Sequence, residues 1–580
     1  MNILLAAINA KYIHSNLAVY SLKAYARKYR EEIKIAEYTI NQTTDEILMD
    51  LYRRCPDILC FSCYLWNIDY VERLIREIPK ILPQTKIWLG GPEVSYSARK
   101  MLEVYPHLAG VICGEGEQTL LEILEYYHGG NAGKDRELSL SDIRGIMYRT
   151  SDGSLEETPP RPVMDLSAVP FAYEDIEEFR NRIIYYESSR GCPFSCSYCL
   201  SSIDKCLRFR NIELVKEELR FFIDHEVPQV KFVDRTFNCS HDHSLAVWSY
   251  IREHDRGITN FHFEIAADLL TEEEIRLVQS MRPGLIQLEI GVQSANSRTI
   301  REIRRVMDLE RVEFSVARIR ETGNVHQHLD LIAGLPFEDY KSFSQSFNRV
   351  YAMRPQQLQL GFLKVLKGSL MYEKAEEYEL LYQERAPYEV LSTKWLSYRD
   401  VMRLKQIEEM VEVYYNSGQF RNTLECAEEE FADAFSMYEA LAEYYESQGL
   451  FRVSHSRVAR YEILKRFLEK HLPQGRMGEC AEWLTLDLYL RDNVRNRPDF
   501  LGESSITSDE AAAFYKREET ERRYLSDYKG YDRRQMRKMT HLERLGGRLF
   551  LFDYRKRDPL NGDAFVYEIE ETEKRKDVPG

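Results

Sequence analysis

Short apolar runs alternate with amphipathic stretches along the first 128 residues. Ile3–Ile8, Ile33–Tyr38, Ile58–Ser62, Lys86–Leu89 and Val111–Cys113 read as strands, while Leu17–Tyr29 and Tyr70–Leu82 carry the helical period. Strands separated by helices pair in parallel through right-handed crossovers, so residues 1–130 predict a doubly wound, five-stranded parallel sheet. In such a sheet a ligand sits over the carboxyl ends of the strands. Gly129–Val169, rich in Gly, Ser, Asp and Pro, reads as a linker, and the spacer is set at 131–180. A second series follows in 181–370, with strands at Ile183–Glu187, Val230–Val233, Phe261–Ala266, Ile286–Ile290, His328–Ile332 and Leu358–Phe362. Helical patterns at Glu213–Ile223 and Val312–Glu321 separate some of them, which predicts an incomplete (β/α)6 barrel with its site at the C-terminal mouth. Residues 371–570 turn mainly helical, most periodically at Glu429–Tyr445 and Arg457–His471. A hairpin is expected at Arg548–Glu570 and a frayed charged tail at 571–580.

Composition narrows this picture. A chain of 580 residues predicts three or four domains, and 44% hydrophobic content is ample for packed cores. Eleven cysteines, an odd number, do not make a secreted disulfide framework, so a reducing cytoplasmic setting is expected. The net charge of −15 argues against nucleic acid as the main partner. No apolar run is long enough for a membrane span, and the opening Met1–Ile8 reads as a first strand rather than a signal peptide.

The most informative chemistry is Cys192-Pro-Phe-Ser-Cys196-Ser-Tyr198-Cys199, directly after the first barrel strand. Three closely spaced thiolates can hold three irons of a cubane cluster and leave the fourth open to another ligand. A zinc site would ask for a second Cys-x2-Cys pair at zinc-finger distance, and Cys196/Cys199 has none. Cys55, Cys60 and Cys63 suggest a second cluster only superficially, because Cys60 and Cys63 fall on opposite strand faces. Polar residues at the barrel's strand ends include Asp234, Glu264, Glu289, Gln293 and Asp330. His241-x-His243 and His326-x-His328 are histidine pairs; on a strand both rings of a pair share one face, so His326, His328 and Asp330 are candidates for handling substrate protons.

The Cys-x3-Cys-x2-Cys spacing, with an aromatic between its last two cysteines, resembles the signature of the radical S-adenosylmethionine (SAM) enzymes, whose barrel is of the TIM type. The Gly291-Val-Gln-Ser and Gly334-Leu-Pro turns also resemble that family, although its Gly-Gly-Glu element after the second strand is missing. The resemblance implies a [4Fe–4S] cluster on Cys192, Cys196 and Cys199, with SAM chelating the open iron and cleaved reductively to a 5′-deoxyadenosyl radical. By the same resemblance Tyr198 lies beside the adenine, Asp234 near the methionine moiety, and Glu289 and Gln293 near the ribose. Reduced flavodoxin or ferredoxin is the implied electron donor, and the substrate is a small molecule or peptide.

The N-terminal loops Asn9-Ala-Lys11-Tyr-Ile-His14, Ser62-Cys-Tyr64, Gly90-Gly91 and Gly114-Glu115 resemble the cobalamin-binding domain, a Rossmann-like, flavodoxin-like fold. The implied cobalamin contacts are Asn9, Lys11, His14, Ser62, Gly90, Gly91, Gly114 and Glu115. That family's axial histidine aligns with Lys11, so cobalamin is expected without a histidine on cobalt. The overall layout is similar to cobalamin-binding radical SAM proteins with a helical C-terminal domain of unknown function. The resemblance implies methylation of an unactivated carbon. Two alternatives stay open: radical cyclisation or rearrangement without cobalamin methyl transfer, and a non-catalytic sensor that binds cluster and cobalamin.

Overall fold

The computed structural model describes residues 1–129, 138–203, 205–494 and 496–570. The expected tail 571–580 and residues 130–137 of the expected linker lie outside them. The chain forms two compact units, residues 1–346 with 360–401 and residues 347–359 with 402–580.

The first unit opens with the doubly wound sheet: β1 Ile3–Asn9, β2 Ile33–Thr39, β3 Ile58–Ser62, β4 Lys86–Gly90 and β5 Leu108–Ile112. All seven residues of β1 are buried, as a central strand covered on both faces requires. Alternate side chains serve different cores: Leu4, Ala6 and Ile8 join Leu59 and Phe61, whereas Ile3, Leu5 and Ala7 join Trp88 and Ile123. The stretch expected to be a linker is ordered differently. It supplies β6 Ile146–Arg149, antiparallel to β5, and β7 Leu155–Glu157, antiparallel to β6, which gives the order β2-β1-β3-β4-β5-β6-β7. The alternating Ile146-Met-Tyr-Arg is too short to stand out from its Gly- and Ser-rich flanks.

Six further strands build the second sheet of this series: β8 Ile184–Tyr186, β9 Gln229–Phe232, β10 Asn260–Ile265, β11 Ile286–Gln293, β12 His326–Ala333 and β13 Gln357–Phe362. They run in simple sequence order, and the β8–β9, β9–β10, β10–β11 and β11–β12 pairs are parallel. A closed barrel is not formed, in keeping with the expected incomplete (β/α)6 barrel.

The second unit is mainly helical, with helices at Arg421–Glu428, Ala434–Ser447, Arg457–His471, Gln474–Arg491 and Ser508–Glu521. The helix expected over Glu429–Tyr445 starts later because Asp433 caps it, its side chain accepting from the Ser436 amide. The expected hairpin is present as β15 Arg548–Arg557 and β16 Ala564–Ile569, and β14 Thr540–Leu545 adds a third antiparallel strand. No helix among the described residues is long and apolar enough to cross a membrane.

Candidate functional site

The cysteine loop is fixed from both ends. Gly191 has φ +91°, and a Cβ there would stand 2.5 Å from the Cys206 carbonyl oxygen, so this turn needs glycine. The Ser197 amide donates to the Ile303 carbonyl at 2.9 Å, and the Ser197 carbonyl accepts from the Met371 amide at 2.8 Å. Cys192 and Cys196 are buried and Cys199 is half-buried. The three sulfurs do not all lie within 4.8 Å of one another. A single tetrahedral ion with bonds of about 2.3 Å would draw its sulfurs to about 3.8 Å. A cluster, where each cysteine takes a different iron, does not ask for that convergence. The donor set therefore fits a cluster better than a lone ion.

Arg305 is a site residue that sequence reasoning missed. Its Nη1 lies 3.9 Å from Cys196 Sγ and 3.3 Å from the Tyr198 hydroxyl, and its Nη2 donates to the Gly291 carbonyl. One half-buried cation thus ties the cysteine loop to β11. The stretch Arg298–Arg305 has four arginines in eight residues, and nothing in the pattern marks which one turns inward.

Beside the loop opens a cleft lined by Phe194, Cys196, Glu264, Glu289, Gln293 and Asp330, among others. It brings together four of the residues expected at strand ends. Gln293 has φ +73°, and its Oε1 is buried without a hydrogen-bond partner. Burial, reinforced by the Glu289 charge, pushes the Glu264 carboxyl up to about 7. Burial acts the same way on Glu289, but the adjacent His262 and Lys231 outweigh it and hold that carboxyl down to about 2. His328 and Asp330 lie 3.0 Å apart on β12, and that partner raises the His328 pKa despite burial. His326 lies on the same strand face but outside the convergent set of Glu289, His328 and Asp330.

Asp234 has internal partners. It is fully buried and accepts from the Ser188 amide at 2.8 Å and from the Ser188 and Ser189 hydroxyls at 2.6 and 2.7 Å. Its carboxylate braces the segment leading into the cysteine loop. His241 and His243 also part ways. They begin a helix, where residues two apart do not share a face, so His241 meets Glu274 and His243 meets Ser188.

At the carboxyl ends of the first sheet the expected contacts divide. Asn9 is buried and donates to the His14 carbonyl and to Glu37, which shapes the loop after β1. Glu115 is occupied as well, by Arg190, Arg208 and the Met164 amide. His14 Nδ1 stands 2.7 Å from the Tyr185 hydroxyl. Gly91, with φ +116°, would place a Cβ 2.4 Å from the Cys63 carbonyl oxygen, so its glycine serves close backbone packing. Gly114 has φ +87° with open space where a Cβ would point. Lys11 is exposed, and Ser62 and Gly90 are half-buried. Trp66, not anticipated, stacks on Tyr64 at 4.5 Å and remains 46% exposed.

The loop at the carboxyl end of β1 is joined directly to the amino-terminal start of β8. The Ile183 amide donates to the Ile13 carbonyl at 2.7 Å, and Ser15 Oγ donates to the Ile183 carbonyl at 3.0 Å. The loop after β1 therefore runs beside the strand that feeds the cysteine loop.

Comparison with known families agrees with this arrangement. The B12 binding domain family matches residues 3–124, and the radical SAM superfamily matches residues 186–350. The chain is a radical SAM protein with a B12-binding domain. Its residues 376–558 match a family of unknown function, DUF4080. Among curated relatives of this radical SAM protein, the anaerobic magnesium-protoporphyrin IX monomethyl ester cyclase of Rubrivivax gelatinosus is 21% identical over 56% of this chain and 60% of the relative. The 2-(S-pantetheinyl)-carbapenam-3-carboxylate methyltransferase of Streptantibioticus cattleyicolor is 25% identical over 50% of this chain and 44% of the relative. The chain thus spans about half of the length of these curated relatives. The cobalamin-dependent SAM radical enzyme OxsB shares its fold, with a TM-score of 0.56, 16% identity, and coverage of 83% of this chain and 78% of that one. The radical SAM methyltransferase TsrM from Kitasatospora setae follows at a TM-score of 0.53, 17% identity, and coverage of 67% and 80%.

Proposed function

We propose that this chain is a cobalamin-dependent radical SAM enzyme that methylates an unactivated carbon of a small-molecule substrate. Cys192, Cys196 and Cys199 would hold a [4Fe–4S] cluster. Gln293, with its unpartnered Oε1, and Tyr198 would hold SAM beside it, and Lys11, Ser62, Gly90, Gly114 and Trp66 would receive cobalamin. When bound, these groups supply one-electron cleavage of SAM and methyl transfer; the protein supplies orientation and exclusion of water.

The observation that carries this reading is the ion-paired junction of Arg190, on the segment after β8, with Glu115 and Glu117, after β5. It sets the ligand-facing ends of the two sheets side by side, as two cooperating cofactors require. Arg305 fixes the Cys196–Tyr198 segment against β11, and Asp234 braces the chain that enters the loop from β8. Neither needs to move when ligands arrive, which keeps the site preorganised. A reduced flavodoxin or ferredoxin would deliver the electron, in a reducing cytoplasm.

The test is anaerobic purification with added cobalamin, followed by iron, sulfide and cobalt quantitation. About four irons and one cobalt per chain are expected, with Cys196→Ala losing the iron while retaining its fold. Iron without cobalt would favour radical chemistry without cobalamin methyl transfer. Full iron in Cys196→Ala would overturn the cluster assignment.

A further inference from the structure

The turn that holds the cysteine loop in place also carries charge outward. Ile303 and Arg305 face the loop, the first through the Ser197 amide and the second toward Cys196 Sγ. Arg298 and Arg301 on the helix Ser297–Glu302, and Arg304 just beyond it, are exposed instead. Arg301 and Arg304 make no side-chain hydrogen bond or ion pair among the described residues. The Arg298 guanidinium stands 3.8 Å over the Phe337 ring, which fixes its direction. Residues 297–306 hold four arginines against one carboxylate, Glu302. Lys374, 3.3 Å away, already offsets that one.

Charge of this sign runs against the chain as a whole, whose net charge is −15. An acidic protein is repelled by most of such a surface and steered to places where the sign reverses. This one lies a single residue from the Arg305–Cys196 contact. Arg301 and Arg304 stabilise the fold through no partner of their own, which leaves both for a partner from outside. Val306, in the same turn, is 73% exposed, and Ile203, four residues after Cys199, is 44% exposed. Transient redox encounters are small, below about 1,200 Å², and set a few apolar contacts inside a charged rim.

We propose that Arg298, Arg301 and Arg304 form the docking surface for an acidic flavodoxin, which delivers its electron at the adjacent cysteine loop. The inference rests on the proposed cluster at Cys192, Cys196 and Cys199 and adds where its electron enters. The flavin hydroquinone anion gives up one electron and becomes the neutral semiquinone. That electron passes to the cluster, and no proton or group is transferred. The methyl-bearing edge of a flavin is apolar and suits Val306 and Ile203, which favours a flavin carrier over a ferredoxin.

Binding of a labelled, acidic flavodoxin to the full-length, anaerobically purified protein is followed by fluorescence anisotropy. Wild type is expected to bind, and to lose affinity several-fold as salt rises from about 0.05 M to about 0.3 M. The double variant Arg301→Glu/Arg304→Glu should bind at least tenfold more weakly, with circular dichroism and iron content unchanged. Arg533→Glu/Arg534→Glu makes the same charge change at exposed positions of the second unit and should bind as wild type does. Formation of 5′-deoxyadenosine gives a second readout. With limiting reduced flavodoxin, Arg301→Glu/Arg304→Glu should be about tenfold slower than wild type. With photoreduced deazariboflavin, a small uncharged reductant, the two should match. Undiminished flavodoxin binding by the double variant, binding indifferent to salt, or displacement of flavodoxin by a tighter-binding acidic ferredoxin would overturn the proposal. Cys196→Ala, without iron, should still bind flavodoxin, so failure of the cluster assignment and failure of the docking surface are read separately.

Discussion

Asp234 shows how much one carboxyl can be asked to bear. Burial pushes it up from 3.8 to about 7, against the opposing Ser188 and Ser189 hydrogen bonds. Below pH 4 the group is protonated in both folded and unfolded chains and costs nothing. Above that the unfolded carboxyl ionises while the folded one resists, so its contribution is lost as pH rises through 7. About three units at 1.4 kcal/mol each bound the effect near 4 kcal/mol. Glu264 and Glu338, both pushed up to about 7 chiefly by burial, act in the same direction. Asp234→Asn should therefore flatten part of the decline in denaturation midpoint between pH 5 and pH 8. An unchanged decline would mean that Asp234 stays ionised in the fold.

Two glycines with positive φ at the ends of neighbouring strands separate packing from access at the level of the element. Gly91 abuts the Cys63 backbone, whereas Gly114 faces open space. Gly91→Ala should lower the melting temperature by several degrees, because backbone atoms on β3 would have to shift. Gly114→Ala should cost only about 1 kcal/mol, from its left-handed backbone. Thermal melts of both variants check this, and equal losses would contradict the close packing at Gly91. The same contrast explains what was legible in the sequence. Strand ends, glycine turns and the cysteine spacing announce themselves, because local pattern fixes them. β6 and β7 were hidden, since pairing onto β5 and onto each other rather than their own short pattern makes them strands. The internal partners of Asn9, Glu115 and Asp234 were hidden for a related reason. A polar residue at a strand end looks the same in sequence whether it faces a ligand or its own neighbours, and Arg305 left no local signal at all.

Within the first unit, the two sheets are tied by charge as well as by backbone. Arg190, two residues before Cys192, reaches Glu115 and Glu117 across the junction and Glu187 on its own side, while Arg208 joins Glu115. Glu117 is almost fully buried and Arg190 only 21% exposed, so solvent screens this network less than a surface pair. Breaking such a network from one side is costly, because three carboxylates would keep their desolvation and lose the central cation. Arg190→Met keeps the length of the side chain and removes the charge. A loss on the order of 2 kcal/mol is expected, discounted from fully buried pairs for the partial exposure. The informative readout is cooperativity: calorimetry should give one transition for the first unit in wild type and two in Arg190→Met. The added transition should begin at lower temperature, with the backbone seam at Ile183 left as the remaining link. Iron content should be unchanged, because Arg190 touches none of the three sulfurs among the described contacts. A single undivided transition at the wild-type temperature would show that the backbone seam alone couples the two sheets and that the charges are incidental to it.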